Sequence, residues 1–296
     1  MKSFLIPALG LAFSAQVVFA ETSSVPLVFS FQKQKNPEDL KKYSTAMSEQ
    51  LSKKLNHKIE VLIPTSYGTT AQGLISNKVH VAYMDSLPFI LASKETGLDI
   101  IAVEKRNDKT QYDSIFIVKK DSLIKSLKDL KGKKMAFASQ TSTSGYLFPF
   151  KRLLEEKLLS IPQDLNNFFS HILYAGGYDK AMLAVLNGQA DAAAVSDYAF
   201  EGAKADLYLT ADQRNKLRIL TRTPGVPTHL IAVSKVVPEA LRAQIQKALF
   251  EIAKEIPDML SSVYGAAQLV KPQGEHTRKT AEALTQTGLT PSEFVK

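Results

Sequence analysis

The hydrophobic positions of this chain fall into two alternating patterns. Leu40, Met47 and Leu51 belong to a stretch with helical spacing, whereas residues 79–83 form a short, mainly apolar run. The first pattern predicts a helix with one buried face, and the second predicts a buried strand. The alternation continues along most of the chain. It indicates right-handed βαβ units around a mainly parallel sheet, and therefore an α/β fold.

Two interruptions divide this pattern into lobes. Polar residues follow the predicted strand at 114–118, and a turn-rich return occupies residues 221–227 after a strand at 217–220. We therefore expect hinge crossings between Val118 and Lys119 and between Pro227 and Thr228. The predicted units are residues 21–118 plus 228–296 for lobe 1, and residues 119–227 for lobe 2.

The first twenty residues have the pattern of a secretory signal peptide. Met1 and Lys2 precede an apolar run from Phe4 to Val18, and Ala20 offers a small residue for cleavage. A membrane anchor is the alternative, but the run is short and is interrupted by polar residues. We expect cleavage after Ala20 and a mature chain in the periplasm.

Composition narrows the chemistry of the 296-residue chain. The absence of cysteine excludes disulfides, thiolate metal sites, a cysteine nucleophile and a lipid-modified N-terminus. The histidines have no metal-like spacing, and we expect no metal and no cofactor. The net charge of +8 suits capture of small anions. Its lysines are scattered over amphipathic helices, so we expect no binding to nucleic acid.

One polar stretch, from Gln140 to Pro149, stands out. It holds the residues Thr-Ser-Thr-Ser-Gly between a short apolar strand and a helical run. Backbone N–H groups at such a turn point outward, with the positive end of the helix dipole behind them. The turn is either an anion-binding site or a set of ordinary helix caps.

Similar polar clusters follow other predicted strands, where ligands bind in open α/β sheets. These clusters are residues 65–70, Asp85 with Ser86, residues 176–178, and Ser196 with Asp197. Two lobes that both present such turns are expected to enclose a ligand between them.

These motifs resemble a known family. Residues 142–149 (STSGYLFP), residues 175–192 and the return at 223–227 are similar to the periplasmic phosphate-, phosphite- and phosphonate-binding proteins of ABC importers. The resemblance covers nearly all of the mature chain, and the Ser-Thr-Ser-Gly turn is its most specific element. It implies a type 2 periplasmic-binding-protein fold, with two α/β lobes, two crossings and a ligand held by closure of the cleft.

The resemblance also implies ligand contacts. Ser142, Thr143 and Ser144, followed by Gly145, would give hydroxyls and N–H groups to the oxygens of a phosphonate. Tyr67 would add a phenolic donor from the other lobe. Its place in a Ser/Gly/Thr turn favours this role over a core position.

For each of the remaining candidate ligand contacts, the sequence allows two interpretations. Asp85, beside Ser86, accepts a proton from a protonated oxyanion or caps the next helix. Tyr178 and Asp197 contact the ligand or serve as caps and surface residues. His229 donates to the ligand or is structural.

Some positions depart from the aminophosphonate-binding members of that family. Gly177 stands where a histidine occurs, His229 where a carboxylate occurs, and Met84 where an aromatic residue occurs. Carboxylates would neutralise a ligand ammonium group, so their loss makes an aminoalkylphosphonate an unexpected ligand.

The predicted function is capture of a small phosphorus oxyanion or organophosphonate for a membrane ABC permease, by a monomer without enzymatic activity. The first alternative is delivery of the loaded protein to a membrane sensor. The second is an enzyme on the same fold, although the chain lacks Walker-type and Gly-x-Ser-x-Gly motifs.

Overall fold

The computed structural model of the chain describes residues 25–31, 37–64, 66–161, 164–265, 268–290 and 294. The predicted signal peptide, residues 1–20, lies outside the described residues. Within them, strands and helices alternate as the apolar pattern indicates, and none of the helices is long and apolar enough to cross a membrane.

The first sheet has six strands. They are β1 Leu27–Phe31, β2 Ile59–Leu62, β3 Val81–Met84, β4 Leu98–Lys105, β10 Leu230–Ser234 and β11 Gln268–Val270, in the order β11-β4-β10-β3-β1-β2. β1 pairs in parallel with β2 and β3, and β10 lies antiparallel between β3 and β4. Strands β1 to β4 therefore run in one direction, and their carboxyl ends meet at one edge.

The second sheet has five strands. They are β5 Gln111–Lys119, β6 Lys134–Phe137, β7 His171–Tyr174, β8 Ala192–Ser196 and β9 Leu217–Pro227, in the order β7-β6-β8-β5-β9. β6 pairs in parallel with β7 and β8, and β5 runs antiparallel to both β8 and β9. Both sheets are mainly parallel, which confirms the predicted two-lobed α/β fold.

Helices cover both sheets. The α-helices are α1 Pro37–Leu55, α2 Tyr67–Ile75, α3 Ser86–Ser93, α4 Phe148–Glu155, α5 Leu165–Phe168, α6 Tyr178–Leu186, α7 Asp197–Phe200, α8 Ala211–Arg214, α9 Glu239–Glu255, α10 Pro257–Tyr264 and α11 Arg278–Thr287. One helical turn of the π type, Thr143–Leu147, leads directly into α4. The apolar stripe of α1 packs against α9 and α10, and its Leu40, Met47 and Leu51 are fully buried.

The first crossing differs from its predicted place. β5 pairs with β8 and β9, so this strand belongs to the second sheet, and the chain crosses between β4 and β5. A crossing between Val118 and Lys119 was therefore wrong, because the polar residues that follow β5 end a strand within the second lobe. The return crossing lies between β9 and β10, where the Thr228 hydroxyl donates to the Glu104 carbonyl oxygen (2.6 Å) and so joins the two crossings.

The turn-rich return at residues 221–227 is also different from the prediction. These residues continue β9 as an edge strand paired with β5, with register shifts along the pair. Pro224 is tolerated because an edge strand has one side without ladder hydrogen bonds. Gly225 has a φ of +86°, which a residue with a side chain adopts only with strain.

The C-terminal helix α11, predicted in lobe 1, touches both lobes. It packs against α3 of the first sheet and against α4 and β9 of the second. Its Thr280 hydroxyl lies 2.6 Å from the Ser86 hydroxyl.

Candidate functional site

The serine turn, residues 142–145, follows β6 at the carboxyl end of the second sheet. Ser142 caps the π-type turn, and its Oγ accepts the Gly145 N–H at 3.0 Å. Ser142, Thr143 and Ser144 are completely buried, unlike most helix caps on a surface. The turn therefore combines the capping role with a position deep between the sheets.

Gly145 is required by close packing. A Cβ atom at this position would lie 2.6 Å from the Ala138 Cβ and 2.9 Å from the Ser142 Oγ. Both distances are shorter than side-chain atoms tolerate. The small residue therefore lets the turn pack directly on the end of β6.

Ser144 is held by two tyrosines that come from distant parts of the chain. The Tyr112 hydroxyl donates to the Ser144 Oγ at 3.2 Å, and the Tyr178 hydroxyl lies 2.7 Å from the same atom. Burial raises the pKa of both phenols, so both stay neutral at physiological pH. On the other side, the Ser114 Oγ donates to the Ser144 carbonyl oxygen at 2.7 Å. The hydroxyl of Ser144 is thus fixed in direction.

Asp85 meets the serine turn from the first lobe. Its carboxylate Oδ2 accepts the Thr143 N–H at 3.3 Å, and the Leu87 N–H donates to the Thr143 Oγ1 at 3.0 Å. Asp85 occupies the cap position of α3 but makes no capping hydrogen bond with its side chain. Its carboxylate instead places an anionic oxygen at the start of the helical turn in the opposite lobe.

His229 lies between two buried carboxylates. Its Nε2 is 2.5 Å from the Asp85 Oδ1, and its Nδ1 is 3.2 Å from the Glu104 Oε2. The imidazole also stacks against the rings of Tyr83 and Tyr112, at centroid distances of 5.1 and 6.2 Å. Burial alone would lower the pKa of His229, but the charges of Asp85 and Glu104 outweigh it and raise the pKa to about 9.

Glu104 and Arg106 extend this arrangement into the first crossing. The Arg106 Nε and Nη2 donate to the two carboxylate oxygens of Glu104, at 2.9 and 3.1 Å. Burial would raise the pKa of Glu104, but the charges of Arg106 and His229 lower it to about 2. The Arg106 guanidinium lies 4.1 Å from the ring centroid of Tyr198 in the second lobe. We call Asp85, Glu104, Arg106 and His229 the charge cluster.

The structure brings most of the predicted site residues together. Asp85, Tyr178 and His229 join the serine turn through direct contacts or through one another. Ser86 is buried, but its hydroxyl faces Thr280 on α11. Tyr67 begins α2, and its side chain is outside the described residues.

Asp197 is not part of this constellation. Its Oδ1 accepts the N–H of the next residue, Tyr198, at 2.6 Å. Burial raises its pKa, and its charged neighbours include Asp113 and Glu201. The carboxylate therefore has a local role at the start of α7, which was one of the two predicted interpretations.

Several residues of the site were missed in the sequence. Glu104 comes directly after the apolar run of β4, so the same rule of polar residues at strand ends points to it. Ser114 lies in the middle of β5, with Ser196 and Thr223 opposite it on the neighbouring strands. The hydroxyls of Ser196 and Thr223 are buried without a hydrogen-bond partner. This polar row is recognised only when the register of three strands is known.

A cavity of about 880 Å³ opens between the lobes beside this site. One wall carries Ser66 and Thr69 at the start of α2, and the facing wall carries Ser139 and Thr141, just before the serine turn. The Ser66 hydroxyl accepts the Thr69 N–H at 3.3 Å. The cleft thus has a helix start from each lobe on its two sides.

A protein-family model matches most of the chain. Residues 29–293 match the model described as "ABC transporter, phosphonate, periplasmic substrate-binding protein". The chain belongs to this family of substrate-binding transport proteins, as its motifs indicate.

Named relatives agree with this placement. The chain is 30% identical over 164 residues to the phosphate-import protein PhnD of Mycolicibacterium smegmatis, covering 53% of this chain and 50% of that protein. It is 26% identical over 231 residues to the phosphonates-binding periplasmic protein of Escherichia coli, covering 76% of this chain and 66% of that protein. The matches thus span between half and two thirds of the length of these relatives.

Solved structures share the fold. PhnD1 of Prochlorococcus marinus, in complex with methylphosphonate, superposes with a TM-score of 0.74 at 20% identity, over 88% of this chain and 98% of that one. A binding protein component of an ABC phosphonate transporter from Pseudomonas aeruginosa gives a TM-score of 0.77 at 18% identity, over 88% and 86%. These likenesses confirm the two-lobed architecture.

Proposed function

We propose that this chain captures a small phosphorus oxyanion or organophosphonate between its two lobes and delivers it to a membrane ABC permease. The family supports the class of transport protein, and PhnD1, which shares the fold, was solved with methylphosphonate. In this proposal the protein acts in the periplasm after removal of residues 1–20, as a monomer, and binds without catalysing a reaction.

One contact carries the proposal. The Thr143 N–H donates to a carboxylate oxygen, so this buried helical turn already binds an anionic oxygen from the other lobe. An oxygen of a bound oxyanion is chemically equivalent to that carboxylate oxygen. Ser144, oriented by Tyr112 and Tyr178, lies one residue further along the turn and offers its hydroxyl to the same ligand.

Lobe closure would complete the site. We propose that the two sheets move as bodies about the crossings at residues 106–110 and 228–229. Asp85 on the first lobe and the serine turn on the second come apart when the cleft opens. The ligand then enters beside the cavity between Ser66 and Thr141, and one of its oxygens takes the place of the Asp85 oxygen on the Thr143 N–H. It is enclosed when the lobes close again.

Calorimetry tests this function. Methylphosphonate, phosphite and phosphate are titrated into the mature protein, with acetate and sulfate as comparison anions. We expect the phosphorus oxyanions to bind and, at 100 times the dissociation constant, to stabilise the fold by about 2.7 kcal/mol. Binding of carboxylates alone would refute the proposal.

A pair of serine variants locates the site. Ser144→Ala removes a buried hydroxyl and is expected to weaken methylphosphonate binding roughly tenfold, the effect of one hydrogen bond to a charged group. Ser93→Ala is the matched control, because its exposed hydroxyl ends α3 and bonds only the Ile90 carbonyl in the same helix. Equal affinities of the two variants would remove the serine turn from the ligand site.

A further inference from the structure

The charge cluster holds the His229 side chain between two buried carboxylates, next to the serine turn. His229 contacts Asp85 with one ring nitrogen and Glu104 with the other, and all three side chains are buried. The second oxygen of Asp85 accepts the Thr143 N–H of the serine turn. Only the Asp85 carboxylate therefore separates the imidazole from the Thr143 N–H, the position assigned to the oxyanion.

The formal charges of this cluster balance. Asp85 and Glu104 contribute two negative charges, and Arg106 and protonated His229 contribute two positive charges. The pKa of His229 is raised to about 9 and that of Glu104 is lowered to about 2, in keeping with this assignment. Burial raises the pKa of the neighbouring Tyr83 and lowers that of His276, which keeps both neutral.

Aromatic rings flank both cations of the cluster. Tyr83 and Tyr112 stack against the imidazole, and Arg106 already covers the ring of Tyr198. A positively charged group on a ligand that approached Asp85 would meet an imidazolium beside it. Like charges held together in a buried site repel each other, and this repulsion weakens binding.

We propose that His229 serves as the protein's own cation in the cleft and selects phosphorus oxyanions whose substituent carries no positive charge. This inference rests on the proposed function, since it names the class of substrate for the same site. Specificity arises here from a repulsive element as well as from the donors that attract the oxyanion. Loss of the imidazole would leave one unbalanced negative charge beside an imidazole-sized space, which suits a ligand ammonium.

The test compares ligands that differ by one group. Ethylphosphonate with aminomethylphosphonate, and n-propylphosphonate with 2-aminoethylphosphonate, are pairs of equal length in which a methyl replaces an ammonium. Affinities are measured by calorimetry for the wild-type protein, His229→Ala and His229→Gln. His171→Ala is the control, because His171 is exposed on β7.

The wild-type protein and His171→Ala are expected to prefer the methyl ligand of each pair by roughly tenfold or more. In His229→Ala the ratio moves toward the ammonium ligand by a similar factor. His229→Gln keeps most of the volume and removes the charge, so its ratio moves in the same direction and serves if the alanine variant does not fold.

Two results would overturn the inference. One is equal binding of both members of a pair by the wild-type protein. The other is an unchanged ratio in the folded His229 variants, which would make the histidine a structural residue only. If the wild-type protein binds none of the four ligands and none of methylphosphonate, phosphite and phosphate, the proposed function itself fails, and this inference fails with it.

Discussion

The serine turn and the charge cluster lie side by side, yet they are built in opposite ways. The turn uses neutral donors, and most of its hydrogen bonds come from its own lobe. The charge cluster uses four ionisable groups, which come from the residue after β3, from β4 and from both crossings, and His229 and Glu104 are separated by 125 positions in sequence. Recognition of the oxyanion is therefore local, whereas the balance of charge depends on the whole fold.

Removing one charge from the charge cluster should cause the largest loss of stability. Glu104→Gln leaves Arg106 and His229 buried without their shared carboxylate, and we expect a loss of about 3–5 kcal/mol of unfolding free energy. Urea unfolding measures it. Glu156→Gln is the control, since its pair with Arg152 lies on the surface, and it should cost less than about 0.5 kcal/mol. Similar losses in the two variants would show that the cluster contributes no special stability.

The second largest effect is the pH dependence of stability that His229 gives to the charge cluster. The folded-state pKa of His229, about 9, lies above its ordinary value of 6.5. Its contribution is therefore fully present below pH 6.5 and is lost as the pH rises through about 9. The full effect is on the order of 3 kcal/mol. Unfolding of wild-type protein and His229→Gln between pH 6 and 10 tests it, and parallel curves would contradict the assignment.

The packing of the serine turn gives a smaller effect. Gly145→Ala places a methyl group against Ala138 and Ser142, and we expect it to cost about 1–3 kcal/mol. Gly188→Ala is not an equivalent control, because its φ of +73° adds strain, so Gly68→Ala is used instead. A methyl group there would meet nothing closer than 3.8 Å. An unaffected Gly145 variant would show that the turn can shift away from β6.

The smallest effect is expected from one phenol. Tyr112→Phe removes the hydroxyl that donates to Ser144 and should cost about 1 kcal/mol of stability. The variant should also weaken methylphosphonate binding. Of the two tyrosines that orient the Ser144 hydroxyl, only Tyr178 then keeps its hydrogen bond. Tyr174→Phe, on a partly exposed ring, should leave the stability unchanged and serves as its control.

Much of the fold could be predicted because its signals are local. The buried stripe of α1 and the apolar run of β3 are each contained in one stretch of sequence. The crossing before β5 could not be placed in this way, because strand membership in a sheet is decided by pairing with β8 and β9. Pro224 and Gly225 predict a turn, but they lie within β9. Proline and glycine are tolerated there because β9 is an edge strand, and its edge position is not visible in the sequence.

The site residues likewise fall into those with a local sequence signal and those that depend on the fold. The serine turn and Asp85 follow strands directly and were found by that rule. Arg106 and Tyr112 were missed, because their roles depend on which side chains face them across the fold. Asp197 also follows a strand, but its carboxylate turns to its own backbone, so position at a strand end does not ensure a place in the cleft.

The irregular edge of β9 has a consequence for association between molecules. Pro224 lacks an N–H, Gly225 bends the backbone, and Lys279 of α11 lies against that glycine. A strand from a second copy would need a regular row of unpaired N–H and C=O groups to extend the sheet. β9 interrupts that row toward its C-terminal end, which protects this edge of the second sheet from edge-to-edge aggregation.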